Sequence, residues 1–249
     1  MGGIQKRCAA GRIHHAVVRN DFSSKKIFIT VLYNTVMNIF LEEKLTKPIE
    51  GVSERILVCA REEFLEKGYS EASLRTIAAK ADTTTGSIYS RFGDKEGLFC
   101  AIVEPAAEGL TQIFLKTQEA FHAREAEEQP KVMEDYVVGG MDEMLDYVYD
   151  RFDDFRLLLD ASYGTKYQDF VEHLVDIETE YTYKYMEATQ FLQEGSMITE
   201  EFLHIMARAM FDSMFEVVRH RMDRDTARKY LHMLEKYHYG GWGAIIKLG

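Results

Sequence analysis

The chain has 249 residues, of which 46% are hydrophobic, and carries a formal net charge of −11. That length supports a buried core in one large or two small domains, and the scarcity of proline together with long periodic segments predicts a mostly helical protein. The three cysteines, Cys8, Cys59 and Cys100, are far apart, so they exclude a paired-cysteine metal site and favour buried thiols in a reducing cytoplasm.

The negative charge is unevenly distributed along the chain. Residues 1–100 carry 15 basic and 12 acidic side chains, whereas the remainder carries 15 basic and 29 acidic ones. Phosphate contacts need local cations whatever the overall sign of the protein. A bound polyanion would therefore lie near the first hundred residues.

The N-terminal region, residues 1–50, differs in pattern from the rest of the chain. Its apolar run, residues 27–41, follows two lysines but is interrupted by two asparagines and is shorter than the ~20 residues of a membrane span. Three interpretations remain open: a translated leader before a true start at Met37, an extra helix or arm, and an export or membrane signal. We expect residues 1–50 to be an extension outside the folded core, and we expect no membrane association.

A regular helical pattern begins near residue 53. Ser53 is a candidate N-cap for a helix whose apolar stripe contains Ile56, Ala60 and Phe64. Gly68 is placed where a left-handed residue would close that helix.

Three further helix starts follow at short intervals. Ser73 is predicted to cap the segment LRTIAAKA, Thr83 or Thr84 to cap TGSIYSRF, and Asp94 to cap a helix beginning KEGLFCAIV. The second and third helices are joined by a turn of about four residues, which is typical of a helix-turn-helix. Its small core is predicted to consist of Ile56, Phe64, Leu74, Ile77, Ala78, Ile88 and Phe92.

Longer helices are predicted beyond residue 105. Pro105 is expected to bend the chain between the fourth helix and the next, Thr199 and Asp223 are candidate N-caps, and the glycine-rich tail is expected to be frayed or packed. The predicted helices are 106–125, 131–149, 152–162, 166–194, 199–220 and 223–238.

The stretch TTTGS at the start of the third helix indicates DNA contact. In a helix-turn-helix the second helix of the pair lies in the major groove, and short side chains at its start let the backbone approach base edges. Gly86 removes a blocking side chain, Tyr89 can contact sugar and phosphate, and Lys95 is misplaced in the first turn of its helix unless a phosphate is nearby. A solvent-facing turn without function is the alternative.

Residues 56–99 closely resemble the N-terminal domain of the TetR family of bacterial transcriptional repressors. The motifs that carry the resemblance are Phe-x-x-x-Gly-Tyr, Arg-x-Ile-Ala, Gly-x-Ile-Tyr-x-x-Phe and Lys-Glu-x-Leu, at Phe64–Tyr69, Arg75–Ala78, Gly86–Phe92 and Lys95–Leu98. The departures are Ile88 in place of the leucine of the family's Gly-x-Leu-Tyr-x-x-Phe motif, Asp82 in place of a turn glycine, Thr83 in place of a small hydrophobe and Arg91 in place of a common histidine. The resemblance implies an all-α fold with DNA-facing residues Ser73, Arg75, Thr84, Thr85, Gly86, Ser87, Tyr89, Ser90, Arg91 and Lys95.

The remainder, residues 101–249, matches no motif, but it fits the helical effector-binding and dimerisation domain that the resemblance implies after a DNA-binding domain at 51–100. Its Met- and aromatic-rich middle is typical of either a pocket for a hydrophobic effector or a plain helical core. Candidate pocket residues are Phe114, Tyr136, Met144, Phe155, Leu159, His173, Ile177 and Tyr181. Asp176, Glu178 and Glu180 are predicted to form a solvated face, a prediction that a cationic ligand would reverse if one acid faced inward.

The helix at 199–220 is apolar around most of its circumference, which indicates burial on two sides and hence a twin helix across a two-fold axis. The candidate dimer-interface residues are Phe202, Met206, Ala209, Met210, Ser213, Met214 and Val217.

Three functions are compatible with these patterns. The first is a cytoplasmic homodimeric repressor that binds a palindromic DNA operator and is released by a small hydrophobic effector. The second is an enzyme, which is disfavoured because the sequence has no nucleophile motif, metal-ligand spacing or phosphate loop. The third is a DNA-binding adaptor without an effector. No cofactor and no metal are expected.

Overall fold

The computed structural model describes residues 51–191 and 198–247, which belong to one compact unit. The predictions for residues 1–50 lie outside these described residues. Within the described ranges the structure is all-α, with no strand. Its helices are α1 Val52–Glu71, α2 Leu74–Lys80, α3 Thr85–Phe92, α4 Lys95–His122, α5 Gln129–Asp150, α6 Phe152–Asp160, α7 Phe170–Ala188, α8 Glu200–Arg219 and α9 Arg224–Lys247.

The first three helices and the start of α4 enclose a small apolar core, as predicted. Ile56, Phe64, Ile77 and Ile88 are fully buried, Ala78 is buried, and the edge of the core is formed by the half-buried Leu74 and Phe92. The aromatic pair Phe64 and Phe99 meets edge to face, with ring centroids 5.2 Å apart. This core fixes the positions of the three helices, of which α2 and α3, with 7 and 8 residues, are too short to be stable alone.

The predicted N-cap of α1 was wrong, whereas its predicted end was confirmed in part. The helix begins at Val52 after Gly51, which has φ +84° and provides no side-chain cap, so Ser53 lies inside the first turn. Gly68 has φ +74° and kinks the chain, although helical structure resumes for one short turn to Glu71. Glycine takes this positive φ without the steric cost that other residues meet.

The three helix starts that follow were confirmed. The side chains of Ser73, Thr84 and Asp94 accept hydrogen bonds from the backbone N–H groups three residues later, at 3.4, 3.2 and 2.7 Å. Asp82, in place of a turn glycine, has φ +50°. Aspartate is among the few residues that tolerate this conformation.

The predicted bend at Pro105 was wrong, because α4 continues through it to His122. Tertiary packing holds the helix together here: the neighbours Val103 and Ala106 are fully buried, and the Pro105 carbonyl also accepts a hydrogen bond from Tyr147 of α5 at 2.7 Å. By length and composition alone, α4 could cross a membrane. Half of its most apolar stretch is buried within the protein, as in the core helix of a soluble domain.

The C-terminal helices confirm two predicted caps and change the description of the tail. Thr199 accepts a hydrogen bond from Phe202 N–H at 3.2 Å, and Asp223 accepts one from Thr226 N–H at 3.0 Å. The described part of the tail after residue 238 agrees with the packed alternative, and it is helical, because α9 continues to Lys247. Trp242 packs edge to face on Phe202, with ring centroids 5.9 Å apart, which gives the glycine-rich end a tertiary support.

Candidate nucleic-acid interface

The ten predicted DNA-facing residues all lie at or near the surface of the helix-turn-helix. Tyr89 is 53% exposed on α3, so its ring is accessible to a partner. The exposed members are Arg75, Thr84, Gly86, Tyr89 and Ser90, and the half-buried members are Ser73, Thr85, Ser87, Arg91 and Lys95. No member of the set is used in the core.

A buried carboxylate that the sequence analysis missed holds α2 in place. Glu63 of α1 is only 4% exposed, accepts a hydrogen bond from the Ser73 backbone N–H at 3.4 Å, and pairs with Lys80 Nζ at 3.2 Å. One carboxylate therefore binds both ends of α2, the helix that precedes α3. The sequence did contain an indication of this burial, because Glu63 lies next to Phe64 in the buried stripe of α1.

Two glycines of this region have different roles. A Cβ on Gly97 would lie 1.9 Å from the Phe92 carbonyl oxygen, so the junction of α3 and α4 requires glycine. A Cβ on the exposed Gly86 would meet nothing closer than Thr84 Oγ1 at 3.6 Å, which is ordinary contact. The free protein therefore does not require glycine at position 86, whereas a closely approaching partner would.

Arg91 is folded back along α3. Its Nη1 donates to Ser87 Oγ at 2.6 Å and to the Ser87 carbonyl at 3.2 Å. The Arg91 Nε is buried and has no hydrogen-bond partner among the described residues. Ser87 and Arg91 thus act as one unit, and a change in either side chain alters what the other presents.

Lys95 has a partner within the protein. Its ammonium donates to the Ser70 carbonyl at 2.8 Å and lies 5.1 Å from the centre of the Tyr69 ring. Burial lowers the pKa of Lys95 from its ordinary value. The side chain satisfies a carbonyl at the end of α1, so its unusual place in the first turn of α4 has a structural explanation beside the predicted phosphate contact.

The eight candidate pocket residues occupy several environments in the described structure. Phe114, Met144, Phe155 and Ile177 are buried in the main core, Tyr136, Leu159 and Tyr181 are half-buried, and His173 is exposed. Phe114 packs edge to face on Phe211 of α8, with ring centroids 5.5 Å apart. None of the eight lines either of the two hollows described between α7, α8 and α9.

The smaller hollow is a cavity of about 20 Å³ at the end of the protein formed by α7, α8 and α9. It is lined by Glu178, Thr182, Leu203, Met206, Ala207, Met210, His238 and Trp242. The larger one is an open groove along α7 and α8 with several acidic side chains, among them Glu180, Glu187 and Glu200.

The predicted solvated face of α7 was wrong for Glu178. Asp176 and Glu180 are exposed, but the Glu178 carboxylate turns inward and accepts hydrogen bonds from Gln118 Nε2 at 2.6 Å and Thr182 Oγ1 at 3.1 Å. Residues two apart on a helix differ by about 200° in direction, so alternate acids cannot share one face. The four-residue spacing from buried Leu174 to Glu178 was the missed signal.

The candidate dimer residues of α8 occupy several environments. Ala209 is exposed, Phe202, Met206, Met210 and Ser213 are half-buried, and Met214 and Val217 are buried within the protomer. Exposed apolar side chains also lie on α8 and α9, namely Ile205, Met233, Tyr237 and Tyr239.

One group of side chains has the spacing of metal ligands. Glu172, Asp176 and His204 place ligand atoms within 4.8 Å of one another. Glu172 is already hydrogen-bonded to both His204, at 2.9 Å, and Arg208. A guanidinium so close to the carboxylate opposes a second cation, and we assign this group to ion pairing between α7 and α8.

Comparison with known proteins agrees with this geometry. Residues 56–102 match the family described as bacterial regulatory proteins, tetR family. The HTH-type transcriptional repressor BepR of Brucella suis is 36% identical over 69 residues, which are 28% of this chain and only a third of that protein's length.

Solved structures extend the likeness to the whole described fold. A TetR-like regulator from Rhodococcus sp. RHA1 has a TM-score of 0.55 at 18% identity, covering 78% of this chain and 99% of that one. SmeT, the repressor of a Stenotrophomonas maltophilia multidrug efflux pump, has a TM-score of 0.53 at 20% identity, covering 74% and 89%. The protein thus has the TetR-regulator fold, and its helix-turn-helix segment belongs to the TetR family of bacterial regulatory proteins.

Proposed function

We propose that the protein is a homodimeric, DNA-binding transcriptional regulator, and specifically a repressor that a small-molecule effector releases from a palindromic operator. The observation that carries the DNA-binding part is the exposed face of α3 between the Thr84 cap and Arg91, within a segment of the TetR family. Two such helices related by a two-fold axis would read successive major grooves about 34 Å apart.

The DNA-facing residues of α3 and of the start of α4 divide into two predicted roles. Thr85 and Ser87 lie in the first turn of α3, where side chains meet base edges, whereas Tyr89 and Lys95 are proposed to contact phosphates. Base contacts select the sequence, and phosphate contacts strengthen binding to every duplex.

The test is DNA binding by selection of a bound sequence followed by footprinting and titration. Tyr89→Ala should weaken binding to specific and random duplexes alike, and Lys95→Ala should also reduce the salt slope by about one. Tyr163→Ala is the matched control, because Tyr163 is 83% exposed and lies outside the helix-turn-helix. A protein that protects no palindrome, or a Lys95→Ala variant that binds with unchanged affinity and salt slope, would contradict the proposal.

We propose that effector binding is coupled to DNA binding through α4. This helix begins next to the helix-turn-helix and ends among the helices after residue 100, which we call the C-terminal body. Lys166 Nζ and Tyr167 Oη, between α6 and α7, both bond to Glu104 of α4, at 2.6 and 2.8 Å. Arg61 of α1 pairs with Asp154 of α6 at 2.5 Å. An effector that favours another arrangement of the body would change the separation of the two reading helices.

A second candidate function is a DNA-binding adaptor that dimerises without an effector. The observation that favours it is the size of the cavity, because about 20 Å³ holds one water molecule and no effector. The two candidates are separated by asking whether any small molecule binds the body and alters DNA affinity.

A further inference from the structure

Glu178 is an inward-facing carboxylate without a cationic partner. Its hydrogen-bond donors, Gln118 and Thr182, are neutral, and no basic side chain of the described residues forms an ion pair with it. Burial raises the pKa of Glu178, and the two hydrogen bonds oppose that shift in part. An ionised carboxylate in this position lacks the compensation that buried charges normally have.

The cavity beside Glu178 provides the rest of a binding site for a cation with an apolar body. Leu203, Met206 and Met210 form apolar walls, and the Trp242 indole provides the aromatic face that attracts cations most strongly. His238 also lines the cavity, and burial lowers its pKa, which favours the neutral imidazole, so His238 adds no positive charge that would repel a cationic ligand.

The cavity must open for such a ligand, and its walls are suited to move. Methionine side chains change rotamer readily. The wall that carries Trp242 is the end of α9, where Gly240, Gly241 and Gly243 each cost about 1 kcal/mol of helix stability relative to alanine. A Cβ at any of these three glycines would meet nothing within 4 Å, so neighbouring atoms do not pack closely against these positions.

We propose that this cavity is the effector site and that its ligand is a monovalent organic cation with an aromatic or branched aliphatic body. Its positive charge would pair with Glu178, its body would replace the Met206 and Met210 side chains, and Trp242 would close over it. A neutral ligand of equal shape would leave the carboxylate unpaired and would bind more weakly. The regulatory meaning rests on the proposed function, whereas binding itself does not.

Trp242 allows a direct test, because it is the chain's one tryptophan and its fluorescence reports the cavity. The probes are benzyltrimethylammonium and its uncharged carbon isostere, neopentylbenzene. The full-length protein should show a saturable fluorescence change with the cation and bind it at least tenfold more tightly than the isostere. Equal affinities, or no saturable change with the cation, would overturn the proposal without any variant.

Glu178→Gln preserves the size of the side chain but removes its charge, and it replaces one of the two acceptor oxygens with a donor NH2 group. It should weaken binding of the cation at least tenfold and change binding of the isostere less than twofold. Glu180→Gln is the matched control, since Glu180 is exposed on the same helix, and it should bind like the unaltered protein. A Glu178→Gln variant that keeps its cation affinity, or loses both ligands equally, would overturn the assignment of the charge.

The DNA titration separates this inference from the proposed function. If the protein binds its operator but no cation, only the cavity assignment fails. If the cation binds as expected but DNA affinity does not change, the site remains and the effector-released repressor is wrong. Loss of operator affinity in the presence of benzyltrimethylammonium, abolished by Glu178→Gln, would support both.

Discussion

The two ends of the described structure present their polar groups in opposite ways. At the helix-turn-helix, the candidate DNA-facing side chains lie at the surface, and the caps that position them are bonds between residues three apart. At the far end, Glu178 turns inward among α4, α7, α8 and α9, and its partner Gln118 is 60 residues away in sequence. A site that reads a large rigid surface can be preformed and open, whereas a site for a small molecule must be able to enclose it.

The largest expected effect is the loss of the dimer, because a change far from the helix-turn-helix would then abolish operator binding. Ala209→Arg places a charge on the exposed face of α8 that we propose to be the dimer axis, twice per dimer, at a cost of several kcal/mol. The variant should sediment as a monomer and lose operator binding although its reading helix is intact. Ala120→Arg, on an exposed position of α4, should remain dimeric. A monomeric unaltered protein at micromolar concentration, or a dimeric Ala209→Arg variant, would remove α8 from the interface.

The next effect separates folding from function within the helix-turn-helix. Gly97→Ala should destabilise the protein by about 3 kcal/mol, because its Cβ would collide with the Phe92 carbonyl and the backbone must shift. Gly86→Ala should keep or slightly raise stability, since alanine favours the helix by up to about 1 kcal/mol, and yet weaken DNA binding. Denaturant titration and DNA titration of both variants would check this. Normal DNA affinity in Gly86→Ala would show that the backbone there does not approach the duplex closely.

A smaller loss is expected at the carboxylate that holds α2. Glu63→Ala leaves Lys80 and the Ser73 N–H without their buried partner and should cost about 1–3 kcal/mol, since Lys80 can reach water. Glu62→Ala, at the exposed neighbouring position, should be within about 0.5 kcal/mol of the unaltered protein. Equal stability of the two variants would show that α2 is positioned by apolar packing alone.

The same contrast between local and long-range contacts explains what the sequence could predict. The caps at Ser73, Thr84 and Asp94 were predictable because each depends on one side chain and a backbone group three residues away. The continuation of α4 through Pro105 was not predictable, because the helix is packed there against other parts of the chain, including Tyr147, which comes 42 residues later. A local rule predicts a break at proline, and tertiary packing can reverse it.

The two candidate sites differ in the same way in how well the sequence predicted them. The resemblance to the TetR family suggested ten residues of the helix-turn-helix, and all ten are exposed or half-buried. Composition alone pointed to a pocket, and four of the eight residues it suggested are buried in the main core. Helical periodicity could have directed Glu178 inward, but the presence of a cavity beside it depends on how α7, α8 and α9 meet.

The smallest expected effect is a pH-dependent difference in the stability of the free protein. It compares the inward-facing carboxylate of Glu178 with the exposed one of Glu180. Burial raises the pKa of Glu178, so the folded protein holds this proton more tightly than the unfolded chain does. For an acid shifted in this direction, the ionised carboxylate reduces the free energy of unfolding, and the reduction grows as pH rises through the folded-state pKa. Glu178→Gln should therefore be more stable than the unaltered protein near pH 8, and the difference should shrink towards acidic pH.

Thermal melts of the two proteins across that range, with Glu180→Gln as the surface control, measure the difference directly. Comparing the proteins at each pH removes the contribution of His238, which titrates in both. Glu178→Gln melting below the unaltered protein at pH 8 would show that the hydrogen bonds from Gln118 and Thr182 outweigh the burial of the charge, and Glu178 would then be a structural residue with no need for a cation.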